Sequence, residues 1–366
     1  MRVIFAGGGT GGHINPAVSI ADYAKTKDKD FKALFIGTEK GLEKKLIPAL
    51  GYNIEYIDVQ GFDRSHILSN IKTVAKLFKS VRQCRRVIKD FKPDCIVCTG
   101  GYVSGPVAIA AHKESVPSLI HEQNVFPGLT VKGSGKYVDY IALSFDETVN
   151  EIKEKTKCVV TGNPVRESII NADYEKSRKK LGINEPFVLI FGGSLGAARI
   201  NNTVIDMLQR VSAENRFKLV FGTGDRNYDE VMQTIADKGI KLGENVTVTA
   251  YIDNMADMMA AADLVVSRSG AITVSEIAAL SKPSVLIPSP NVVRNHQEQN
   301  AREFAENGAA EMILESALTP EILYSKITEI ISDKRRMEKM SNNLKKLAKT
   351  DALENLYGLM LRMSAK

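Results

Sequence analysis

The chain has 366 residues, of which 44% are hydrophobic and 25% are charged, and its formal net charge is +6. This length fits two domains with separate cores, and the composition is typical of a globular protein and excludes a disordered one. No run approaches the roughly 18 apolar residues of a membrane span, and the first residues enter a strand with no signal peptide, so we predict a cytoplasmic protein.

The first predicted strand, Val3–Ala6, opens directly into the glycine-rich segment Gly7–His13. Glycine lets a ligand approach the main chain and leaves N–H groups pointing at it, and a helix with regularly spaced apolar residues follows. This pattern indicates the strand, turn and helix of a nucleotide-binding or sugar-binding α/β unit. A nicotinamide dinucleotide is disfavoured, because the next strand, Lys32–Ile36, does not end in the acid that would hold a ribose.

Strands and helices then alternate along the chain, which predicts doubly wound parallel sheets. The pattern pauses at residues 162–166 and restarts with a second apolar strand and glycine turn over residues 187–197, and the chain is helical and basic from about Pro320. We therefore predict two Rossmann-like domains facing a cleft, over residues 1–163 and 164–340, with a helical segment at 341–366 that packs back on the first domain. The predicted strands are 3–6, 32–36, 54–59, 95–98, 117–121, 140–143, 158–161, 187–191, 218–221, 246–249, 264–267 and 284–288.

Cys95 and Cys98 form a C-x-x-C pair within one apolar strand. Residues three apart on a strand point to opposite faces, and no second pair lies nearby to complete a zinc site. We interpret both cysteines as buried small hydrophobic residues, and we predict no metal site.

Seven motifs occur in the order of a known family. They are residues 7–13 (GGGTGGH), 99–106 (TGGYVSGP), 121–124 (HEQN), 161–166 (TGNPVR), 192–194 (GGS), 268–276 (RSGAITVSE) and 296–301 (HQEQNA). Together they closely resemble the MurG family over the whole chain. The resemblance implies a glycosyltransferase B fold, with an acceptor-binding and membrane-associating first domain and a UDP-sugar-binding second domain.

The resemblance also implies the reaction and its location. It is the inverting transfer of N-acetylglucosamine from UDP-N-acetylglucosamine to the 4-hydroxyl of the muramyl sugar in undecaprenyl-pyrophosphoryl-N-acetylmuramyl pentapeptide, which converts lipid I to lipid II in peptidoglycan synthesis. The protein is expected to be peripheral, on the cytoplasmic face of the cell membrane, with other cell-wall and division proteins as further partners and no cofactor.

The resemblance carries over residue by residue to the donor site. Ile272 stands where leucine is expected, and a backbone contact there would survive this conservative change. The positions that match donor contacts are Thr10, Gly11, Gly12, Asn124, Arg166, Ser194, Ile252, Ala271, Ile272, Thr273, Val274, Ser275, Glu276 and Gln297, and the acceptor-side candidates are Asn15 and Tyr102.

An inverting transfer needs a base for the attacking hydroxyl and a group that stabilises the departing diphosphate. His13 is the first candidate for the base, although a histidine there could instead cap the helix or bind a phosphate, and Glu122 is a second titratable candidate. The Asp-x-Asp of residues 28–30 lies in a polar turn and is interpreted as solvated surface. Glycine-turn amides, helix N-termini and Arg166 would then stabilise the diphosphate without a metal.

Several of these residues also have an ordinary structural interpretation. Glu276 suits the two hydroxyls of a ribose but could be a helix-surface acid, and Ile252 suits uracil but could belong to the core. The amides of Asn124 and Gln297 could bind sugar groups or cap loops.

Three other functions are compatible with parts of the sequence. A UDP-N-acetylglucosamine epimerase would consume the donor with no acceptor, and a diacylglycerol glycosyltransferase shares the glycine-rich opening. A nucleic-acid binder would explain the basic stretches, but RNA-reading aromatic residues are not grouped among them, so we predict no nucleic-acid partner.

The stretch Ile67–Lys89 is predicted to be an amphipathic helix with one apolar and one basic face. No acid occurs between Asp63 and Asp90, so we expect the basic face to bind an anionic membrane surface while most of the apolar face packs inward. The apolar residues are Ile67, Ile71, Val74, Leu77, Phe78, Val81, Cys84 and Ile88, and the cations are Lys72, Lys76, Lys79, Arg82, Arg85, Arg86 and Lys89.

Overall fold

A computed structural model describes residues 1–59, 70–193 and 196–365 of the protein, with side chains for the same residues except 70–75 and 293. The chain forms two compact units. The first unit consists of Met1–Val165 and Thr350–Lys366, and the second unit consists of Arg166–Lys349.

The first unit contains, within its described residues, a seven-stranded parallel sheet flanked by helices. Its strands are β1 (Arg2–Gly7), β2 (Lys32–Gly37), β3 (Asn53–Tyr56), β4 (Cys95–Gly100), β5 (Ser118–Glu122), β6 (Tyr140–Leu143) and β7 (Cys158–Val160), in the order β3-β2-β1-β4-β5-β6-β7. Its helices are α1 (Gly11–Lys27), α2 (Glu43–Ala49), α3 (Asn70–Phe91), α4 (Gly101–Lys113) and α5 (Leu129–Ser134), with 3₁₀ turns at Gly135–Tyr137, Asp146–Glu151 and Lys155–Lys157.

The second unit contains a six-stranded parallel sheet in its described part. Its elements are α6 (Glu167–Ile170), α7 (Tyr174–Leu181), β8 (Phe187–Phe191), α8 (Ala198–Glu214), β9 (Lys218–Gly222), α9 (Tyr228–Asp237), β10 (Val246–Thr249), α10 (Met255–Ala261), β11 (Leu264–Ser267), α11 (Ala271–Ala279), β12 (Ser284–Leu286), α12 (His296–Glu306), β13 (Glu311–Met312), α13 (Pro320–Ser332) and α14 (Lys334–Leu347), with 3₁₀ turns at Val293–Asn295 and Glu315–Ala317. The strand order is β10-β9-β8-β11-β12-β13.

Helices cover both faces of the first sheet, which explains why its central strands are continuous apolar runs. Cys95 packs on the face covered by α1, and Cys98 packs on the opposite face with residues of α4. Both cysteines are fully buried, as predicted from their spacing.

The last helix, α15 (Ala352–Ser364), returns to the first unit and packs on α1. Its Leu356 and Leu359 are fully buried in the same core as Val3 and Ile14. The structure divides the chain after residues 165 and 349, whereas we predicted boundaries after 163 and 340. The second difference arises because α14 runs to Leu347 and packs against α11 and α13 of the second unit.

The predicted parallel α/β architecture is confirmed, and the strand predictions agree with the structure apart from their ends. The predicted strand 54–59 ends at Tyr56, because its partner β2 ends at the paired Gly37. The strand β13 was not predicted, since its two residues, Glu311 and Met312, are too few to show a period.

The predicted amphipathic helix is α3, although residues 67–69 lie outside the described ranges. Val81, Cys84 and Ile88 are buried, and Phe78 is 70% exposed. The basic face is not free of acids, because other elements supply them, and this corrects the interpretation from the stretch alone. Asp58 pairs with Lys76 and Lys79, and Glu114 pairs with Arg85 and Lys89.

Within the described ranges, no helix combines the length and the apolar character needed to cross a membrane.

Candidate active site

The glycine-rich loop after β1 lies against the end of β4. The φ angle of Gly101 is +75°, and a Cβ there would collide with the carbonyl oxygen of Gly8. Only glycine permits both this backbone angle and this close approach. The loop ends at Thr10, the N-cap of α1, so the predicted strand, turn and helix are confirmed. Thr10 and Gly12 are exposed, and Gly11 is partly exposed.

A fully buried carboxylate, Glu43, lies beneath this loop. It accepts hydrogen bonds from the backbone N–H of Gly9 at 3.1 Å, and from the N–H and hydroxyl of Thr38 at 3.0 and 2.9 Å. Glu43 therefore ties the loop after β1 to the end of β2. Sequence reasoning missed this residue, because a glutamate in the first turn of a short helix normally faces solvent.

His13 lies in the first turn of α1, with its ring directed toward the ends of β4 and β5. Its Nδ1 lies 3.1 Å from the carbonyl oxygen of Thr99 and 3.3 Å from Oε1 of Gln123. The ring packs against Gly100, where a Cβ would lie 2.7 Å from Nδ1. Since these Nδ1 contacts are made to two strand ends, they fix the ring from outside its own helix.

Glu122, the other candidate for the base, is buried, and both of its carboxylate oxygens are engaged by the following loop. Oε1 accepts from the backbone N–H and the side-chain amide of Asn124 at 2.9 and 3.0 Å, and Oε2 accepts from the N–H of Gly128 at 2.7 Å. Burial raises the pKa of Glu122, and these hydrogen bonds oppose the rise. The geometry makes this carboxylate an anchor of the loop.

The two acceptor-side candidates differ in their surroundings. Tyr102 packs its ring against Gly9, and its hydroxyl lies 3.3 Å from that of Thr38. Tyr102 therefore belongs to the same cluster as the glycine loop and Glu43. Asn15 is exposed on α1.

The predicted donor residues Arg166 and Glu276 meet in the second unit. Arg166 is the N-cap of α6, and its Nη2 lies 3.1 Å from Oε1 of Glu276 on α11. Glu276 is only 7% exposed. Burial raises the pKa of Glu276, while Arg166 acts in the opposite direction. Glu276 is therefore not a helix-surface acid, which was the alternative interpretation.

The second glycine turn follows β8. The φ angle of Gly196 is +72°, and a Cβ there would collide with the carbonyl oxygen of Thr223. Ser194 lies outside the described residues. Ile252 is buried, and a Cβ on Gly222 would lie 2.8 Å from its Cδ1.

Residues 271–276, which match the donor-contact positions of the family, lie in α11, and this helix begins after its N-cap Gly270. The N-terminus of a helix carries partial positive charge and suits an anion. Ala271, Val274 and Glu276 are buried, and Ile272, Thr273 and Ser275 are partly exposed.

Gln297 is held beside the start of α11. Its backbone carbonyl accepts from Ser269 Oγ at 2.7 Å, and its Oε1 accepts from the N–H of Ser289 at 2.9 Å. Since Oε1 receives this bond, Nε2 is the end of the amide that can donate to a ligand. Arg268, which precedes these residues, donates to the carbonyls of Ile287 and Pro288 and pairs with Glu315, so it supports the strand ends.

In the part of the chain that the structure describes, no group of three or more His, Cys, Asp or Glu side chains is arranged to hold a metal ion. Asp28 of the Asp-x-Asp sequence accepts a hydrogen bond from the N–H of Asp30 at 2.9 Å and so closes its own turn.

Two family models match the chain. The N-terminal domain of glycosyltransferase family 28 matches residues 3–143, and its C-terminal domain matches residues 187–356. Together they span most of both units.

Similar proteins are known at full length. The chain is 46% identical over 362 residues to a protein of Acetivibrio thermocellus named UDP-N-acetylglucosamine--N-acetylmuramyl-(pentapeptide) pyrophosphoryl-undecaprenol N-acetylglucosamine transferase, covering 98% of this chain and 97% of that protein. The crystal structure of Acinetobacter baumannii MurG is similar with a TM-score of 0.78 and 26% identity, covering 99% of both chains.

A third similarity concerns the fold alone. The UDP-GlcNAc 2-epimerase of Neisseria meningitidis, solved with UDP-GlcNAc, has a TM-score of 0.67 at 16% identity, covering 99% of this chain and all of that one. The chain has a glycosyltransferase B fold, as indicated by its two parallel sheets, by the two matched family domains and by the 46% sequence identity to the Acetivibrio thermocellus protein over 362 residues. The chain therefore belongs to glycosyltransferase family 28 and, within it, to the MurG family of N-acetylglucosamine transferases.

Proposed function

We propose that the protein transfers N-acetylglucosamine from UDP-N-acetylglucosamine to the 4-hydroxyl of the muramyl sugar of undecaprenyl-pyrophosphoryl-N-acetylmuramyl pentapeptide. The observation that carries the proposal is the 46% identity to a transferase of that name over 98% of the chain. The contacts within each unit support it independently of the name, because they supply groups suited to the donor and to proton transfer.

The donor is assigned to the second unit. The N-terminus of α11 faces the diphosphate, and Arg166 neutralises the charge of the diphosphate. The buried carboxylate of Glu276 accepts hydrogen bonds from both ribose hydroxyls. Arg166 Nη2 lies 3.1 Å from Oε1 of Glu276, so the guanidinium and the carboxylate belong to one cluster. Gln297 presents its amide N–H₂ to the sugar, and Ile252 lies beside the uracil.

The acceptor is assigned to the first unit, with His13 as the base. Glu122 is less suited to this role, because three N–H groups of its own loop already occupy its two oxygens. Deprotonation by His13 makes the acceptor hydroxyl nucleophilic, and attack on the anomeric carbon then inverts its configuration and releases UDP. Tyr102 and Asn15 are assigned to the acceptor, and Thr10, Gly11, Gly12 and Asn124 keep their assignment as donor contacts.

The experiment that tests the proposal uses radiolabelled UDP-N-acetylglucosamine and a short-chain lipid-linked muramyl pentapeptide. We expect label in the disaccharide product, loss of this product in His13→Gln, and normal turnover in the control His112→Gln, which changes an exposed histidine. Conversion of the donor to its 2-epimer without acceptor would support an epimerase instead. Label in lipid only when diacylglycerol is supplied would support the glycolipid transferase.

We further propose that the protein binds the cytoplasmic face of the membrane through α3. The exposed Phe78 would enter the lipid, while Lys79 and Arg86, whose side chains are 63% and 87% exposed, would contact anionic headgroups. Each such cation contributes on the order of 1 kcal/mol to binding. The ion pairs with Asp58 are exposed, so they compete only weakly with an anionic surface.

A charge-matched pair of variants tests the membrane face. Changing Lys76, Lys79 and Arg86 to glutamine should reduce binding to anionic vesicles and turnover on a long-chain acceptor, yet spare turnover on the short-chain analogue. The control changes three lysines of α7 to glutamine, and it should change neither vesicle binding nor turnover on the long-chain acceptor. These lysines are Lys176, Lys179 and Lys180. Equal loss on both acceptors would contradict the assignment.

A further inference from the structure

Gln123 is 3% exposed and lies between the buried ends of β4 and β5. Its Nε2 is 2.9 Å from the carbonyl oxygen of Thr99 and 3.2 Å from that of His121. Carbonyl oxygens only accept, so the amide nitrogen must face them and Oε1 must point the other way. The orientation of this amide is therefore fixed by the backbone.

The same Nε2 lies 3.0 Å from Nδ1 of His121. Since the amide nitrogen donates, Nδ1 of His121 accepts, and the ring proton sits on Nε2, which donates to the carbonyl of Gly162 at 3.0 Å. Burial lowers the pKa of His121 to about 4, so this ring is neutral at physiological pH. A neutral His121 keeps Gln123 in one orientation.

Gln123 therefore presents its Oε1 to Nδ1 of His13, at 3.3 Å. Nδ1 of His13 also lies 3.1 Å from the carbonyl oxygen of Thr99. Both groups are acceptors, so Nδ1 of His13 must carry a hydrogen. In the neutral imidazole the lone pair is then on Nε2.

We propose that Gln123 is a positioning residue that holds His13 in the Nδ1–H tautomer and so makes Nε2 the nitrogen that accepts the acceptor's proton. The inference rests on the proposed function of His13 as the base. It also gives the HEQN motif a second role, because Glu122 anchors its loop while the adjacent Gln123 orients the histidine.

Among the described residues, the titratable groups near this end of the sheet include His121 and Glu122 at the end of β5, Tyr102 on α4 and Glu43 on α2. Glu122 and Glu43 have their carboxylates bonded to loop N–H groups. The Nδ1 contacts with Thr99 and Gln123 therefore come from uncharged groups, and they stabilise the imidazolium more than the neutral ring.

The first test reads the tautomer without any activity measurement. A long-range ¹H–¹⁵N spectrum of ¹⁵N-histidine-labelled protein, above the pH at which His13 titrates, should show a protonated Nδ1 and an unprotonated Nε2 for His13. The five histidines are assigned by comparison with His13→Gln. A proton on Nε2 would overturn the inference even if the protein is an active transferase.

The second test changes Gln123 to methionine, which has a similar shape but no acceptor at Oε1. We expect mixed tautomers of His13, about tenfold lower turnover and a donor KM within about twofold of the wild-type value. The acidic limb of the pH–rate profile should move to lower pH by about half a unit, because the imidazolium loses a hydrogen-bond acceptor. If Gln123→Met leaves both the acidic limb of the pH–rate profile and the histidine ¹H–¹⁵N spectrum unchanged, the proposal is overturned.

A matched control removes a bond from the other side of the network. Ser144 Oγ lies 3.3 Å from Nε2 of His121 and donates to Asn163 Oδ1 at 2.8 Å. Ser144→Ala should leave the His13 tautomer and the acidic limb unchanged, and equal shifts in both variants would reduce Gln123 to a packing role. Failure of the wild-type protein to transfer sugar would reject the proposed function, while the tautomer would still be read from the spectrum.

Discussion

The buried His121 predicts a specific loss of stability in acid. Burial lowers its pKa from 6.5 to about 4, because the charged ring would be removed from water. As the pH falls, His121 is therefore protonated near pH 6.5 in the unfolded chain but only near pH 4 in the folded chain. Stability from this residue is complete above pH 6.5 and falls as the pH is lowered through this window.

The size of the effect follows from the difference in pKa. One pH unit corresponds to about 1.4 kcal/mol, so the free energy of unfolding should fall by roughly 3 kcal/mol between pH 6.5 and 4. The slope should approach one proton per unfolding event. In His121→Gln the group that titrates is gone, so this part of the slope should vanish, whatever the variant's stability at neutral pH.

Hydrogen-exchange mass spectrometry can follow this effect in the first unit alone. Peptides covering β4 and β5 are measured from pH 4.5 to 7 in the wild type, in His121→Gln and in His112→Gln, which removes an exposed histidine as a control. The wild type and the control should lose protection in parallel as the pH falls. Equal pH slopes in the wild type and His121→Gln would refute the reasoning.

Three further predictions concern single residues. Glu276→Ala should raise the donor KM and change turnover little, because a ribose contact acts alike in ground and transition states; steady-state kinetics showing lost turnover at unchanged KM would reject it. His13→Ala should lower turnover by about 10²-fold and remove the acidic limb, and near-normal rates would place the base elsewhere. Burial lowers the pKa of Lys282 to about 8, so the stability of the wild type to urea, measured relative to that of Lys282→Met, should rise from pH 8 to 10.5.

The sequence predicts the sheets well, because buried parallel strands are apolar runs and glycine turns mark where they end. It also predicts that Arg166 and Glu276 lie in one site, through the motifs around them. It does not predict how side chains pair across the fold. His13 meets Thr99 and Gln123 across 86 and 110 residues, and no local pattern encodes such contacts.

Glu43 illustrates the same limit from another direction. Its partners Gly9 and Thr38 are ordinary loop residues, and only the fold shows that the carboxylate is buried beneath them. Likewise, the acids that face α3 come from other elements, so the charge of the helix alone overstates the positive face.

The return of α15 to the first unit has a consequence for synthesis on the ribosome. The buried Leu356 and Leu359 complete the core around β1 and α1, yet they follow the whole second unit along the chain. At about 5–20 residues per second, roughly 10–40 s separate the emergence of residue 165 from that of residue 350. During this interval the apolar residues of α1 that pack on α15 lie uncovered in the nascent first unit, so a fragment ending at residue 165 should depend on chaperones more than the full chain does.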